Sequence, residues 1–273
     1  MESDHLKKLK NNIEDIFLGK KEPSLNIYSK DITEVISILE ESKLGEKVGH
    51  VKFTFMEEVT LIDLDEIGSA RLNVIQQKWK KIVDQGYKVT FLVQKKKVVS
   101  EIVNLKKTSD GRIRYNAGDV SQEDLLKGRR KTLLNKLQDK FTEKISVEID
   151  GVSTSTFLIG TVSQSSIPLH IEDVAFGSLN LHHSGADKVW MIVPPSDGIL
   201  KSKFYQTIID NISVFKVIIL ARQMFPEEYE KCPHFMTNHK NIWMTKEIME
   251  EMNIRVSTVT QKQGTNILLV SIC

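Results

Sequence analysis

His170-Ile171-Glu172-Asp173, followed by Ser178-Leu179-Asn180-Leu181-His182-His183-Ser184-Gly185-Ala186-Asp187-Lys188-Val189-Trp190 and then Ile192-Val193-Pro194-Pro195, is the stretch on which the reading of this chain turns. Alternating residues of a strand point to the same side, so His170 and Glu172 on a strand would aim an imidazole and a carboxylate together. That pair is two thirds of the 2-His-1-carboxylate triad, which holds non-haem Fe(II) and leaves coordination positions open. The bare pattern is short, and a solvated His and Glu on a half-buried strand would look the same. Downstream, Ser178 and Asn180 share one side of a second short run.

Taken together these segments resemble the JmjC family of Fe(II)- and 2-oxoglutarate-dependent oxygenases, in particular its histone lysine demethylase branch. The resemblance is carried by H-x-E-D at His170–Asp173, S-x-N at Ser178–Asn180, H-x-G-x-x-K-x-W from His183 to Trp190, and the proline pair Pro194-Pro195. It continues through Phe225-Pro226, Cys232-Pro233-His234-Phe235, His239-Lys240 and the T-Q-x-x-G run from Thr260 to Gly264. It covers residues 112–273, and several independent motifs fall in one order.

The resemblance implies a mainly β second half built as a double-stranded β-helix, the cupin-like jelly roll. Short apolar or alternating runs at 145–149, 156–159, 189–193 and 267–270 fit that expectation. It implies that His170 and Glu172 bind Fe(II), and that Lys188 pairs with the distal carboxylate of 2-oxoglutarate. An ammonium suits that task as a compact charge with three donors. Asn180 matches a polar contact to the cosubstrate. Tyr115, in Tyr115-Asn116-Ala117-Gly118-Asp119-Val120, matches a tyrosine on the same carboxylate, with one extra residue in this copy. Ser178 is a pocket candidate by its register with Asn180. The implied chemistry is oxidation of an N-methyl group, with release of formaldehyde, on a histone tail or another protein substrate. The implied setting is nuclear, with chromatin contact.

Three departures qualify that picture. The family's third iron ligand is a histidine just past the equivalent of Cys273, where this sequence stops, so the expected jelly roll is incomplete and Fe(II) would be held more weakly. The segment between Pro195 and Phe225 is longer than in the family, with the surplus near residues 205–220; a natural insertion and a retained intron both fit. The tyrosines of the methyl-lysine pocket are not evident, and Thr156 and Leu158 stand in that region. Two other readings therefore stand beside the demethylase: a catalytically inactive JmjC-like chromatin-binding module, and a protein hydroxylase. Cys232 and His239 resemble two ligands of a structural zinc, but four ligands cannot be completed from them, and zinc is not expected.

Outward from this core, residues 1–110 read as a mixed α/β region of unassigned role, and 111–273 as the JmjC-like domain, with Thr108-Ser109-Asp110-Gly111 as the boundary turn. Leu6, Leu9, Ile13, Ile16 and Phe17 recur at helical spacing. Residues 32–44 read as a second helix, with Asp31 as N-cap and Gly45 as stop. Val51, Phe53 and Phe55 alternate as in a strand. Residues 70–85 read as a helix between Ser69 and Gly86, and 87–93 as a short β-rich run. Lys95-Lys96-Lys97 and Lys106-Lys107 read as a solvated basic face, with a nucleic-acid contact as the alternative.

Composition bounds the rest. With 273 residues, 40% hydrophobic and 27% charged, the chain has material for one large domain or two modest ones. Its 38 Lys plus Arg against 36 Asp plus Glu give a net charge of +2, which excludes nucleic-acid binding by bulk charge alone. Cys232 and Cys273 fit a reducing compartment rather than a disulfide scaffold. The opening Met1-Glu2-Ser3-Asp4-His5 does not resemble a signal peptide. The longest apolar runs, 214–221 and 267–273, are too short to cross a bilayer, so no membrane role is expected.

Overall fold

A computed structural model gives the fold and describes residues 4–58, 61, 69–83, 90–104, 114–121, 156–160, 167, 170–172, 177–193, 222, 226–232, 242–243, 246–251 and 255–269. The chain divides into two compact units: Met1–Val59 with Ile171–His234 and Lys246–Cys273, and Thr60–His170 with Phe235–Thr245. The expected boundary turn at 108–111 lies outside the described residues.

The first unit begins with α1 (Asp4–Phe17), whose Leu9, Ile13 and Ile16 are buried at the spacing read from the sequence. Strand β1 (Ser24–Ile27) follows. A 3-10 turn (Ser29–Asp31) then leads into α2 (Ile32–Glu41), which buries Ile32, Val35 and Leu39. Asp31 stands at the N-cap position but makes no side-chain capping bond. Gly45 does not stop the helix. The break falls at Ser42-Lys43, where Lys43 takes a left-handed conformation with φ 54°, and Gly45 sits inside the next helix, α3 (Leu44–Val48). Ser42 fastens this break, its hydroxyl donating to Leu39 O at 2.9 Å and accepting from Leu44 N at 3.3 Å. Gly49, with φ 77°, ends α3 and releases the chain into β2 (His50–Phe55). A positive φ of this kind suits glycine.

Strand β2 pairs in parallel with β1. It also pairs antiparallel with β11 (Thr265–Leu269), which pairs in turn with β7 (Ser178–Leu181), giving the order β1-β2-β11-β7. The alternation at Val51, Phe53 and Phe55 is thus a strand with one apolar face. In register on that face lie Leu25, Ile27, Phe53, Leu181 and Leu268, all buried, and with the apolar stripes of α1 and α2 they make up the unit's core. Asn266 interrupts this face, fully buried with neither side-chain amide atom hydrogen-bonded. The opposite face is mixed: Lys52, Thr54, Ser178 and Asn180 share it with Leu269, the buried His50 and the fully buried Ile267. A separate antiparallel ribbon joins β8 (Lys188–Ile192) to β10 (Ser257–Gln261). Strands β10 and β11 are consecutive in the chain but belong to different sheets. The turn that carries the chain across places Gly264 at φ 78°. Helices α4 (Pro226–Lys231) and α5 (Lys246–Glu251), the latter burying Met249, belong to the same unit.

Among the described residues, the second unit contains a five-stranded sheet. Strand β3 (Ser69–Val83) pairs along its whole length with β4 (Thr90–Asn104), and β5 (Arg114–Ser121), β6 (Thr156–Gly160) and β9 (Ile242–Trp243) complete the order β6-β5-β3-β4-β9. This overturns the helix expected at 70–85. Its Ala, Leu, Gln and Lys residues have good helix propensity, but propensity is a weak local preference, and here an antiparallel ladder satisfies the backbone instead. Of the short run expected at 87–93, residues 90–93 open the longer β4, which continues through Lys95-Lys96-Lys97, and 87–89 lie outside the described residues. Phe157 and Ile159 on β6 are buried, and Leu158 between them faces out, at 43% exposure. Strands at 156–160, 178–181, 188–192, 257–261 and 265–269 give the second half the β character expected of it.

Candidate functional site

Among the described residues, the second half brings together Asn180, Lys188, Trp190 and Gln261 in the first unit, with the charge of Glu172 felt at Lys188. Lys188 opens β8, and Trp190 stands two residues on, so both project from the same side of the ribbon. The Lys188 ammonium lies over the indole, 3.8 Å from the ring centroid. Burial pushes its pKa down to about 8, and the carboxylate of Glu172 works against that shift. Removing an ammonium from water disfavours its charged form, and a nearby anion restores it.

Directly across the ribbon from Lys188 is Gln261, which is fully buried. Each polar atom of its amide is engaged. Nε2 donates to Asn180 O at 2.9 Å and to Thr265 O at 3.0 Å, while Oε1 accepts from Trp190 Nε1 at 2.8 Å. The orientation of the amide follows from chemistry: an indole N–H can only donate and a peptide carbonyl can only accept. Gln261 thus ties the β8–β10 ribbon to β7 and β11 of the other sheet. Two further main-chain bonds continue that tie, Gly264 N to His182 O at 2.8 Å and His182 N to Thr265 O at 3.1 Å.

The loop between β7 and β8 holds the two adjacent histidines. Strand β7 ends at Leu181, so the pair sits in a loop. His182 Nε2 donates to Ala186 O at 3.0 Å and closes that loop around Gly185, whose φ is +100°. His183 is half-buried. Burial, and then the neighbouring His182, hold its pKa down to about 4, so it is neutral at physiological pH.

The remaining candidates distribute as follows. His170-Ile171-Glu172 is irregular rather than strand. The expected common face therefore has no ladder behind it, since none of the described pairings includes these residues. His170 falls in the second unit and Glu172 in the first; both are half-buried and already engaged in interactions. Ser178 and Asn180 lie on one face of the four-stranded sheet, as their spacing implied, with Leu269 and the fully buried Ile267 opposite them on β11. Tyr115 is on β5 of the second unit, opposite Gln76 of β3. Cys232 follows α4 as a free, half-buried thiol, and His239 lies outside the described residues, as does the 205–220 segment. No group of three His, Cys, Asp or Glu that could hold a metal is assembled among the described residues. The donor types at His170 and Glu172 suit Fe(II), and the desolvated ammonium of Lys188 suits the carboxylate of a cosubstrate. No helix among the described residues is long and apolar enough to cross a membrane.

Gln261 was missed as a site residue. It stands inside the T-Q-x-x-G motif, but nothing local reveals its burial, because two of its partners are 71 and 81 residues away.

The family described as "JmjC domain, hydroxylase" matches residues 157–272. Lysine-specific demethylase 4D of Rattus norvegicus is 27% identical over 131 residues, covering 48% of this chain and 22% of that protein. Probable lysine-specific demethylase 4F of Homo sapiens is 26% identical over 131 residues, covering 48% of this chain and 18% of that protein. The chain thus spans about a fifth of the length of the curated relatives it matches.

Proposed function

We propose that this chain, whose residues 157–272 are a JmjC domain similar to those of lysine-specific demethylases, works as an Fe(II)- and 2-oxoglutarate-dependent oxygenase on N-methyl-lysine of a protein substrate. The observation that carries the reading is Lys188, the first residue of β8, whose half-buried ammonium lies over the Trp190 ring and feels the charge of Glu172. In this reading the distal carboxylate of 2-oxoglutarate pairs with that ammonium, and Asn180 contributes a polar contact to the same molecule; a role for Tyr115, in the other unit, rests on the family resemblance alone. Ser178 lines the pocket beside Asn180. By the family resemblance, His170 and Glu172 would hold the iron. When bound, Fe(II) and 2-oxoglutarate supply oxidation of a C–H bond by O2, with oxidative decarboxylation of the cosubstrate.

The chain's own residues do the binding and orienting. Lys188 is costly to bury alone, so a carboxylate arriving there replaces lost hydration with a charge-assisted hydrogen bond. The half-buried setting of Glu172 and Lys188 lowers the effective dielectric and strengthens that bond. Lys188 is the one basic residue of β8, and the half-buried His183 in the loop before it is neutral at physiological pH. A histone tail and a nuclear location go with the demethylase reading and share its test.

The test is binding of 2-oxoglutarate in the presence of Mn(II), measured by calorimetry. Native protein should bind, and Lys188→Ala should weaken binding about 10- to 100-fold, the loss of one charge-assisted hydrogen bond. Equal affinities would remove the cosubstrate role of Lys188. With Fe(II), O2 and a trimethyl-lysine peptide, the expected products are succinate and formaldehyde. Peptide-dependent succinate without formaldehyde would move the reading to a protein hydroxylase, the activity named in the family description.

A further inference from the structure

The side-chain amide of Gln261 does more than hold two sheets together. It accepts the indole N–H of Trp190 at 2.8 Å, and the face of that same indole lies 3.8 Å from the Lys188 ammonium. The three side chains form a chain of contacts across one face of the ribbon: Gln261 opposite Lys188, and Trp190 diagonal to Gln261. A lysine on a four-carbon stem has many rotamers, and a ring fixed against it removes most of them. The indole would itself be free to turn without an anchor for its N–H. That anchor cannot drift, because the remaining Gln261 donors are tied to the main chain of β7 and β11, at Asn180 O and Thr265 O.

We infer that Gln261 is a positioning residue: through the Trp190 indole it fixes the Lys188 ammonium where a carboxylate ligand is received. The inference deepens the oxygenase reading and rests on it for the identity of the carboxylate. It assigns the two ends of Gln261 different tasks. The Oε1 end orients Trp190 and hence Lys188. The Nε2 end joins β10 to the four-stranded sheet and stabilises the fold.

Two variants separate these tasks. Trp190→Phe keeps a ring face for Lys188 but removes the N–H that Gln261 anchors, leaving both Nε2 bonds in place. Gln261→Glu keeps an acceptor for the indole and removes both donors. The first measurement needs no ligand: the rate of reductive methylation at Lys188, followed by peptide mass spectrometry against Lys20, whose side chain is 62% exposed. Trp190→Phe should raise the Lys188 rate several-fold with little change in Tm. Gln261→Glu should lower Tm and leave the Lys188 rate at or below native, because a carboxylate across from the ammonium favours its unreactive charged form. The second measurement is 2-oxoglutarate binding with Mn(II), which Trp190→Phe should weaken about fivefold. An unchanged Lys188 rate in Trp190→Phe overturns the inference, as does a Gln261→Glu protein whose only change is a raised Lys188 rate. If native protein binds no 2-oxoglutarate, the oxygenase reading falls, and the methylation rates still decide whether Gln261 fixes the lysine.

Discussion

The four-stranded sheet and the β8–β10 ribbon belong to the same unit and are built on opposite principles. The sheet is held by burial: Ile27, Val51, Phe53 and Ile267 are all completely shielded from solvent. The ribbon shows Val189 to solvent at 62% exposure and relies on Gln261, Trp190 and Lys188, joined by directed polar contacts. Apolar burial is strong and undirected; a hydrogen-bonded amide contributes less net free energy but fixes geometry. The comparison teaches where to look for function. A region that commits polar side chains to its interior is defining positions, whereas the apolar sheet supplies the support.

If that division is right, the largest loss of stability comes from the sheet. Phe53→Ala should cost about 3–5 kcal/mol, the usual cost of emptying a fully buried aromatic position, read as a lower urea midpoint with unchanged slope. The join between the two regions, the loop carrying His183, should respond to pH. Unfolded histidine titrates near 6.5 and His183 in the fold near 4, so between those values the unfolded chain binds more protons. The associated stability is fully present above pH 6.5 and is lost as pH falls toward 4, on the order of 2 kcal/mol. Urea unfolding of native protein and His183→Gln at pH 7 and pH 4.5 measures it; the variant should lose that part of the pH dependence. A smaller effect of opposite sign is expected at Asn266, the polar intruder in the apolar face. Asn266→Leu removes an amide with no hydrogen bond and should raise stability by about 1 kcal/mol, seen as a higher Tm. The smallest effect belongs to the exposed side of the ribbon, where Val189→Thr should change stability by less than about 0.5 kcal/mol. A large loss there would break the comparison, because it would mean that Val189 supports the fold despite its exposure.

Legibility in the sequence followed the range of the forces involved. Helix α1 and strand β2 could be read because Leu9, Ile13 and Ile16, and Val51, Phe53 and Phe55, repeat within a few residues. Strand β3 could not, because its residues satisfy a helical pattern nearly as well, and its fate depends on a partner strand whose own pattern is equally ambiguous. The Ser42-Lys43 break in the second helix was hidden behind Gly45, the more obvious stop. At the candidate site, Lys188 and Asn180 stood out through the resemblance and lie close to Gln261 in the fold. His170 and Glu172 stood out as well, but on an irregular segment where a strand was expected. Gln261 was visible only as a letter in a motif, since its burial arises from chain segments far apart in sequence.

The pairing of β2 with β11 has a consequence for how this protein is made. Residues 50–55 leave the ribosome early and must wait until residues 265–269 are synthesised before their antiparallel neighbour exists. Such distant pairing slows folding, and until then one edge of β2 stays open to strands of other molecules. The domain match begins at residue 157, beyond both β1 and β2. A gene fragment cut at that point would yield a polypeptide whose β11 has β7 on one side and a bare edge on the other. Its solubility during expression would then depend on whatever strand it met first.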